Sequence, residues 1–429
     1  MSAPVIGFAG MTHLGINSAA AAMERGFEVV CFDENEGVIQ ALAAGKTPVT
    51  EPDLDDILGK RASRARYTSR AADLGRCDVV YISTDVATDD AGQSDLSRVE
   101  ALIGTVIGVL RGDAVLVVLC QVPPGFTRRI DLPKQRLYYQ VETLVFGRAV
   151  DRALNPERFI VGCADPARPL PAAFGTFLAA FGCPVLPMQY ESAELAKIAI
   201  NCCLVASVSV ANTLAELCER MGAVWSEIAP ALKLDKRIGP HSYLSPGLGI
   251  AGGNLERDLA TVIRFADTLH TDAGVVKAWV ANSRHRRGWA ARTIKERLLD
   301  ANPGATVAVW GLAYKENTHS IKNSPSLATI AQLDNAALRL HDPVVPASSA
   351  ARAGAVGCEN PVEALSGADA LLILTPWPHY REIAPARIAA AMRGRIVLDP
   401  YAVLNAHEAV AAGLEVHTLG RSVMMADHA

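Results

Sequence analysis

Short apolar runs alternate with helix-like segments along the first part of the chain. The runs that predict buried strands are residues 5–9, 27–33, 79–84 and 114–119. An alanine-rich segment that ends near Arg25 and a segment at 96–110 predict the helices between them. Because strands that alternate with helices form parallel, doubly wound sheets, we predict an α/β domain over residues 1–187, with further strand and loop elements at 140–147 and 159–162.

The pattern becomes helical in the middle of the chain and returns to alternation near its end. Residues 191–217 predict one long helix, and residues 273–299 predict a second helical run. Strand-like runs then recur at residues 305–311, 337–343, 370–375 and 394–399. We therefore predict two Rossmann-like doubly wound α/β domains, residues 1–187 and 301–429, joined by a helical domain, residues 188–300, that contains the long central helix.

Composition narrows the possible partners. The chain has 429 residues, of which half are hydrophobic and a fifth are charged, and its net charge of −4 is spread along the sequence. The densest basic cluster, residues 284–287, is typical of a solvated helix side, so we expect no nucleic-acid partner. The nine cysteines form no Cys-x-x-Cys pair. This usage predicts small buried side chains in a reducing compartment, with neither disulfides nor a metal site.

Hydropathy and the first residues bear on localisation. We find no apolar run that approaches the ~18 residues of a membrane span. The first residues lead into a strand without the charged segment of a signal peptide. We therefore predict a cytoplasmic protein that does not bind membranes.

A strand, a glycine-containing turn, a helix and a second strand that ends in an acid open the chain. This order is typical of a dinucleotide-binding βαβ unit, with the pyrophosphate on the helix N-terminus and the acid on the ribose hydroxyls. The middle glycine of Gly-x-Gly-x-x-Gly is replaced by Thr12. The acid, Asp33, would repel a 2′-phosphate, which favours NAD over NADP. The candidate cofactor contacts are Gly10, Thr12, His13, Leu14, Gly15, Asp33, Thr84 and Gln121.

A second glycine-rich segment lies near the middle of the chain. Four glycines fall within residues 247–253, and the polar sequence Asn-Leu-Glu-Arg-Asp follows directly. Glycines let a backbone adopt positive φ and approach a ligand closely. The segment predicts either a flexible connector or a binding loop, and its polar tail favours the binding loop.

Lys197 and Asn201 stand four residues apart on the long predicted helix. That spacing puts both side chains on one helix face. Either this face lies in solvent or the two groups have polar partners in a buried site.

The sequence resembles the UDP-glucose/GDP-mannose dehydrogenase family over essentially its whole length. The resemblance rests on motifs that occur in the family's order: the 10–33 unit, Val-Pro-Pro-Gly-Phe-Thr at 122–127, the Lys197-x-x-x-Asn201 helix, Pro-Gly-x-Gly-x-x-Gly-Gly at 246–253, Gly-Leu-Ala-Tyr-Lys-Glu-Asn-Thr at 311–318, and Asn-Ser-Pro at 323–325.

The resemblance implies a homodimer built around the long helix. It also implies NAD on the N-terminal domain and the nucleotide of a sugar nucleotide on the C-terminal domain, with the glycine loop closing on sugar and diphosphate. The sugar-nucleotide contacts that it implies are Tyr243, Gly247, Gly249, Gly252, Gly253, Arg257, Lys315 and Lys322. The family oxidises a primary alcohol twice, and its second step passes through a thioester on a cysteine directly after the Gly-Gly pair.

The chain departs from the family pattern in the residues of that second step. Asn254 replaces the cysteine, and an amide cannot replace a thiolate as nucleophile. Phe146 aligns with the glutamate that serves thioester hydrolysis, and Gln121 aligns with the threonine of the family's Ser-Thr-Val-Pro segment. The family's lysine near the end of the loop motif is Arg257.

The groups that the family uses for alcohol oxidation are retained. They are Lys197, Asn201, Asp258 and the acid Glu142. The substrate motifs of the C-terminal domain differ at 319–322 and 399–402, which disfavours UDP-glucose itself while leaving a UDP-hexose preferred.

Our hypothesis is therefore a two-electron reaction on a nucleotide sugar. Lys197, directly or through a water held with Asp258, removes the hydroxyl proton, and Asn201 and Asn254 hydrogen-bond the reacting oxygen. The same Lys-x-x-x-Asn helix resembles that of two-electron β-hydroxyacid dehydrogenases. Two alternatives remain open: a redox-neutral NAD-dependent epimerase and a non-catalytic sugar-nucleotide binding protein. Cys120 is the one other cysteine that we consider as a nucleophile.

Overall fold

The computed structural model describes residues 3–89 and 92–426. The described chain forms two compact units, residues 1–200 and 201–429, whose boundary falls within one long helix. The division into three domains predicted above stays a prediction, and its outermost residues, 1, 2 and 427–429, lie outside the described part of the chain.

The first unit is built on a mostly parallel sheet. Its strands are β1 (Ile6–Ala9), β2 (Val29–Phe32), β3 (Ala65–Thr68), β4 (Val79–Ile82), β5 (Ala87–Thr88), β6 (Ser94–Asp95), β7 (Val115–Val118), β8 (Leu137–Gln140), β9 (Phe159–Cys163) and β10 (Val185–Gln189). Its helices are α1 (His13–Glu24), α2 (Glu36–Ala43), α3 (Leu54–Lys60), α4 (Ser97–Ile107), α5 (Ala149–Leu154) and α6 (Ala172–Ala179).

The main sheet has the strand order β10-β9-β8-β7-β4-β1-β2-β3, and β5 and β6 form a separate antiparallel pair. In the main sheet the neighbouring strands are parallel except β8 and β9, which pair antiparallel. Strands β1, β2, β4 and β7 are buried at every residue, as expected for a sheet that is covered on both faces. The parallel, doubly wound architecture is therefore confirmed.

A helix of 32 residues, α7 (Tyr190–Met221), follows β10 and continues from the first unit into the second. By length and composition it is apolar enough to cross a membrane, with a mean hydropathy of 1.8 over 18 residues. The prediction that the chain contains no such stretch was wrong. Alanines and cysteines add to the mean hydropathy together with the larger apolar residues, while serines and asparagines interrupt the apolar run. One such helix is weak evidence for a membrane, because helices of soluble proteins pass the same test.

The second unit adds helices before a second parallel sheet. Its helices are α8 (Trp225–Leu234), α9 (Asn254–Leu269), α10 (Gly274–Arg287), α11 (Trp289–Ile294), α12 (Pro325–Ile330), α13 (Pro361–Leu365), α14 (Pro385–Ala391) and α15 (Ala406–Ala411), with a π-helical turn at Lys295–Leu299. Its strands are β11 (Thr306–Trp310), β12 (Ala337–His341), β13 (Val356–Gly357), β14 (Ala370–Ile373), β15 (Ile396–Leu398) and β16 (Glu415–His417).

This sheet has the order β13-β12-β11-β14-β15-β16, and all of these neighbours are parallel. Its core contains the stacked rings of Trp310 and Tyr380, whose centroids lie 4.9 Å apart. The predicted second doubly wound domain is thus present. Helix α9 was not predicted, and it changes the description of the glycine loop, which ends at a helix rather than in a polar tail.

Candidate active site

The turn between β1 and α1 depends on two glycines. Gly10 has a φ of +99°, and a Cβ there would lie 2.8 Å from the Cβ of Thr84. A Cβ on Gly15 would lie 1.9 Å from the carbonyl oxygen of Gly10. Strand, turn and helix therefore approach closely only because both residues lack a side chain. Thr12, which replaces the middle glycine, is the extended residue that precedes the helix.

Asp33 lies at the end of β2, beside this turn. Its Oδ2 accepts a hydrogen bond from Met11 N at 2.8 Å, and its Oδ1 accepts one from Asn35 N at 2.9 Å. The exposed guanidinium of Arg98 lies 3.6 Å from Oδ2. The acid is thus held where the second strand of a dinucleotide-binding unit places its ribose ligand.

The end of β4 supplies a buried hydroxyl on the same side of the sheet. Thr84 Oγ1 is buried and has no hydrogen-bond partner among the described residues. Buried hydroxyls are normally hydrogen-bonded, so an orphaned one at the carboxyl end of a parallel strand indicates a ligand contact. Gln121 lies just beyond the end of the neighbouring strand β7, where it is half-buried.

His13, in the first turn of α1, belongs to a network that the sequence did not reveal. Its Nε2 lies 2.8 Å from Glu51 Oε1, and its ring stacks on Phe146 with the centroids 4.0 Å apart. The buried carboxylate of Glu51 also accepts hydrogen bonds from Gly147 N at 2.9 Å and Ala149 N at 3.1 Å. Glu51 thereby fixes the segment around Phe146 against the cofactor turn.

Lys197 and Glu142 form an ion pair in the first unit. Lys197 Nζ lies 3.3 Å from Glu142 Oε2, and both side chains are largely buried. Glu142 also accepts a hydrogen bond from Leu144 N, which fixes its carboxylate in the segment that follows β8. The pair therefore holds the lysine amine in one place.

Asn201 and Asp258 form a second buried pair, in the second unit. Asn201 Nδ2 donates to Asp258 Oδ2 at 2.5 Å, and Arg257 Nε lies 3.5 Å from Asp258 Oδ1. Asp258 is 1% exposed. The pairing leaves the side-chain oxygen of Asn201 and its second N–H as the groups with which it could bind a substrate.

Asn254 is the first residue of α9 and is exposed. The interpretation of residues 254–258 as the polar tail of a loop is therefore corrected, because they form the first turns of a helix whose apolar side is buried. Arg257 and Asp258 point into the protein as part of that helix, and both are buried. An N-terminal helical position offers positively polarised N–H groups to a ligand.

The glycine loop before α9 is held by specific contacts within the second unit. Gly247 N donates to Asn212 Oδ1 at 2.8 Å, and Ile250 N donates to Ser283 Oγ at 2.8 Å. Gly249 has a φ of +78°, and a Cβ there would lie 2.4 Å from the carbonyl oxygen of Ser283. The loop therefore has a defined path and does not behave as a bare connector.

The end of this loop contacts the segment that follows β11. Gly252 N donates to Lys322 O at 3.1 Å, and Asn323 Nδ2 donates to Gly252 O at 2.9 Å. A Cβ on Gly252 would lie 3.4 Å from the ring of Tyr314. These contacts bring Gly252 and Gly253 together with Lys322, next to a tyrosine that precedes Lys315. Tyr243 lies before the loop and is exposed.

Comparison with known proteins identifies the architecture. Three family models match in order: the NAD binding domain of the UDP-glucose/GDP-mannose dehydrogenase family at residues 5–172, its central domain at 191–284 and its UDP binding domain at 308–406. A UDP-glucose 6-dehydrogenase of Pseudomonas aeruginosa is 31% identical over 416 residues, which cover 91% of each chain. The chain belongs to the UDP-glucose/GDP-mannose dehydrogenase family.

Other relatives of this family member match along almost its whole length. A UDP-glucose 6-dehydrogenase of Bacillus subtilis is 29% identical, with 96% of this chain and 92% of the relative covered. The structure of a UDP-glucose dehydrogenase from Pyrobaculum islandicum superposes with a TM-score of 0.86 at 26% identity and covers 98% of both chains. The family member is therefore an NAD-dependent oxidoreductase that acts on CH–OH groups.

The first unit fits NAD by its own geometry. Gly10 and Gly15 allow the close turn, Asp33 lies at the end of β2, and the orphaned hydroxyl of Thr84 lies at a strand end. His13 and Leu14 supply the first-turn N–H groups of α1 toward which a pyrophosphate is expected to bind.

Cys120 does not suit the role of a substitute nucleophile in this family member. Burial raises the pKa of its thiol to about 12, and the residue is 1% exposed. Burial also raises the pKa of Cys202 to about 11, to which the charge of Asp258 contributes. Since the thiolate is the reactive form, burial disfavours both cysteines as nucleophiles at neutral pH.

Proposed function

We propose that the protein oxidises one hydroxyl of a nucleotide sugar to a carbonyl and stops there. The observation that carries this proposal is Asn254 at the first position of α9, where the family's catalytic cysteine is expected. Without a thiol, an aldehyde product cannot be converted to a thioester, which is the step that leads the family to a carboxylate. The unreactive thiols of Cys120 and Cys202 offer no substitute.

The expected substrate is a UDP-sugar. Two observations support it: the match to the family's UDP binding domain over residues 308–406, and relatives named UDP-glucose 6-dehydrogenase. The sequence His-Ser-Ile-Lys at 319–322 and Asp-Pro-Tyr-Ala at 399–402 replaces the family's substrate motifs. A UDP-hexose other than UDP-glucose is therefore the preferred candidate.

The residues divide into a base and groups that bind the reacting oxygen. NAD supplies the hydride acceptor, so the balanced reaction converts the alcohol and NAD⁺ to the carbonyl, NADH and a proton. Lys197, fixed by Glu142, takes the hydroxyl proton directly or through a water held with Asp258. Asn201 and Asn254 donate N–H groups to the oxygen as it gains negative charge. Asp258 holds Asn201 in position for that role.

We also propose that the protein forms a homodimer. Helix α7 exposes a row of apolar residues at spacings of three and four: Val210, Leu214, Leu217 and Met221, which are 52%, 39%, 53% and 71% exposed. This spacing defines one helix face. An apolar stripe of this kind fits a partner protein, and a second copy of the same helix is the partner that the family resemblance favours.

The stoichiometry of the reaction tests the proposed function. Purified protein is incubated with NAD and each of several UDP- and GDP-sugars, and NADH and the product mass are measured. We expect one NADH per sugar and a product that has lost two hydrogens. Two NADH per sugar with a carboxylate product would exclude the proposal. An unchanged mass with altered stereochemistry would identify the epimerase, and binding without any change would identify a non-catalytic protein.

A further inference from the structure

The residue directly after Thr84 places a carboxylate at the cofactor turn. His13 N donates to Asp85 Oδ2 at 3.1 Å, and Asp85 N donates to Thr12 Oγ1 at 2.8 Å. Backbone N–H groups in the first turn of such a helix are the donors that bind the diphosphate of a dinucleotide. One of these donors is therefore already engaged by an anion of the protein itself.

Thr12 helps to hold this arrangement. In the glycine fingerprint, the residue at this position lets the backbone approach the pyrophosphate closely. Here the Thr12 hydroxyl accepts from Asp85 N and lies 3.4 Å from Ser83 O, so it joins the end of β4 to the start of α1. The replacement of the fingerprint glycine by Thr12 and the engagement of the His13 N–H therefore occur in the same local structure.

We propose that Asp85 limits the affinity of the protein for a dinucleotide. Its carboxylate covers the phosphate-binding N–H of His13 and is displaced when a diphosphate binds. Two anions cannot share one donor without repulsion, because like charges a few ångströms apart oppose each other in a partly desolvated groove. The binding free energy of the cofactor therefore includes the work of moving this carboxylate away.

The surroundings of Asp85 are consistent with displacement. The residue is exposed, so its side chain can rotate into water without disturbing the core. Although the residue as a whole is exposed, nearby protein atoms desolvate its carboxylate and raise the pKa of Asp85; Thr12 and His13 oppose the rise, and the negative charge of Glu142 adds to it. An ionised carboxylate with a raised pKa is less stable in its place than it would be in water, which favours its exchange for a stronger ligand.

Calorimetric titration of the full-length protein without any sugar substrate tests this proposal. The ligands are ADP-ribose and NADH, which carry the diphosphate, and adenosine, which does not. For Asp85→Ala and Asp85→Asn we expect about tenfold tighter binding of ADP-ribose and NADH, which corresponds to about 1.4 kcal/mol, with an unchanged affinity for adenosine. Because no turnover is measured, the result is independent of whether the two-electron proposal holds.

The matched control variant removes a different exposed carboxylate. Asp95 is an exposed acid ten residues further on, bonded to Ser97, so Asp95→Asn changes the net charge equally and should leave all affinities unchanged. Thermal melting of each variant checks that the fold is intact. Equal or weaker binding of ADP-ribose by Asp85→Ala would overturn the proposal, as would a gain of the same size for adenosine.

Discussion

Lys197 Nζ lies 3.3 Å from the Oε2 of Glu142, and this ion pair fixes the amine of the long helix against the segment that follows β8. Both side chains are largely buried, so solvent screens the pair only weakly. A lysine held in this way is suited to take a proton from one defined position. The ion pair also makes Glu142 a positioning residue, because this acid acts through Lys197.

The first prediction concerns this lysine. Lys197→Met is expected to lower kcat by about 10²- to 10⁴-fold, which is the usual contribution of a general base. NADH binding, measured by calorimetry, should be unchanged, since the proposed role is proton transfer. Lys233→Met, at an exposed lysine, is the control and should keep full activity. Full activity in Lys197→Met would remove the lysine from the mechanism.

The second prediction compares two glycines of one loop. Gly249→Ala is expected to raise KM for the sugar nucleotide and lower stability, because φ is +78° and the new Cβ would lie 2.4 Å from the Ser283 carbonyl oxygen. Gly247→Ala is the steric comparison within the loop: the nearest heavy atom to its new Cβ, on Tyr401, is 3.9 Å away, so a smaller loss of stability is expected. Steady-state kinetics and thermal melting report both effects. Equal behaviour of the two variants would show that the loop path does not matter.

The third prediction concerns the apolar stripe of α7. Leu217→Glu places a charge on a face that we expect to be covered by a second copy of the chain. The variant should be monomeric under conditions in which the unaltered protein is dimeric, as measured by light scattering after gel filtration. Glu227→Gln is a control at an exposed position on the next helix. A monomeric unaltered protein would refute the proposed dimer.

The strands of both sheets were largely predictable because buried parallel strands are continuous apolar runs. The strands β3, β10, β13 and β16 of the two sheets, and the short pair β5 and β6, were not predicted. Strand β3 carries an arginine and a tyrosine at a sheet edge, and β10, at the opposite edge, contains a proline. Helix α9 was not predicted because its first turns are polar and follow the glycines directly; the helical spacing of Leu255, Leu259 and Val262 is the sequence signal for it.

The candidate site was predictable where its residues fall in one motif. The Lys197 and Asn201 spacing and the Gly10 to Asp33 unit are local patterns that sequence alone carries. The partners were not predictable, because Glu51 lies 38 residues from His13 and Asp85 lies 72 residues from it. No local sequence pattern predicts such contacts. Asp85 had one available signal, its place directly after a strand end.

The fourth prediction is a pH dependence of stability. Burial raises the pKa of Asp399 to about 6, although the N–H groups of Leu404 and Val403 oppose the rise. The folded-state pKa of Asp399 exceeds the unfolded value of about 3.9. The stabilising contribution of this group to the free energy of unfolding is therefore fully present below about pH 4. It is lost as the pH rises through about 6, with a total change of about 3 kcal/mol.

Urea unfolding between pH 4 and pH 7 measures this contribution. Asp399→Asn should show a smaller loss of stability over that range than the unaltered protein, since its side chain does not ionise. The amide leaves one of the two backbone N–H groups without its acceptor, so the variant is expected to be less stable at pH 4. Asp131→Asn, at an exposed acid, should follow the unaltered protein throughout. Parallel curves for Asp399→Asn and the unaltered protein would contradict the assignment.

The fifth prediction tests the absence of the thioester step by restoring its nucleophile. Asn254→Cys places a thiol at the first position of a 16-residue helix, where the helix N-terminus favours the thiolate. If the carbonyl product is an aldehyde, this thiol would add to it to give a thiohemiacetal, and a second NAD would accept hydride to leave a thioester. Intact-protein mass spectrometry should then show the covalent sugar nucleotide. The adduct is expected to accumulate, since the resemblance aligns Phe146 with the family's hydrolytic glutamate. Adding Phe146→Glu to the same variant should release a carboxylate and raise the yield toward two NADH per sugar. Asn254→Ser is the control and should form no lasting adduct. If Asn254→Cys yields an aldehyde and one NADH per sugar without any adduct, then Asn254 does not occupy the position of the family's cysteine, and the argument from its replacement fails.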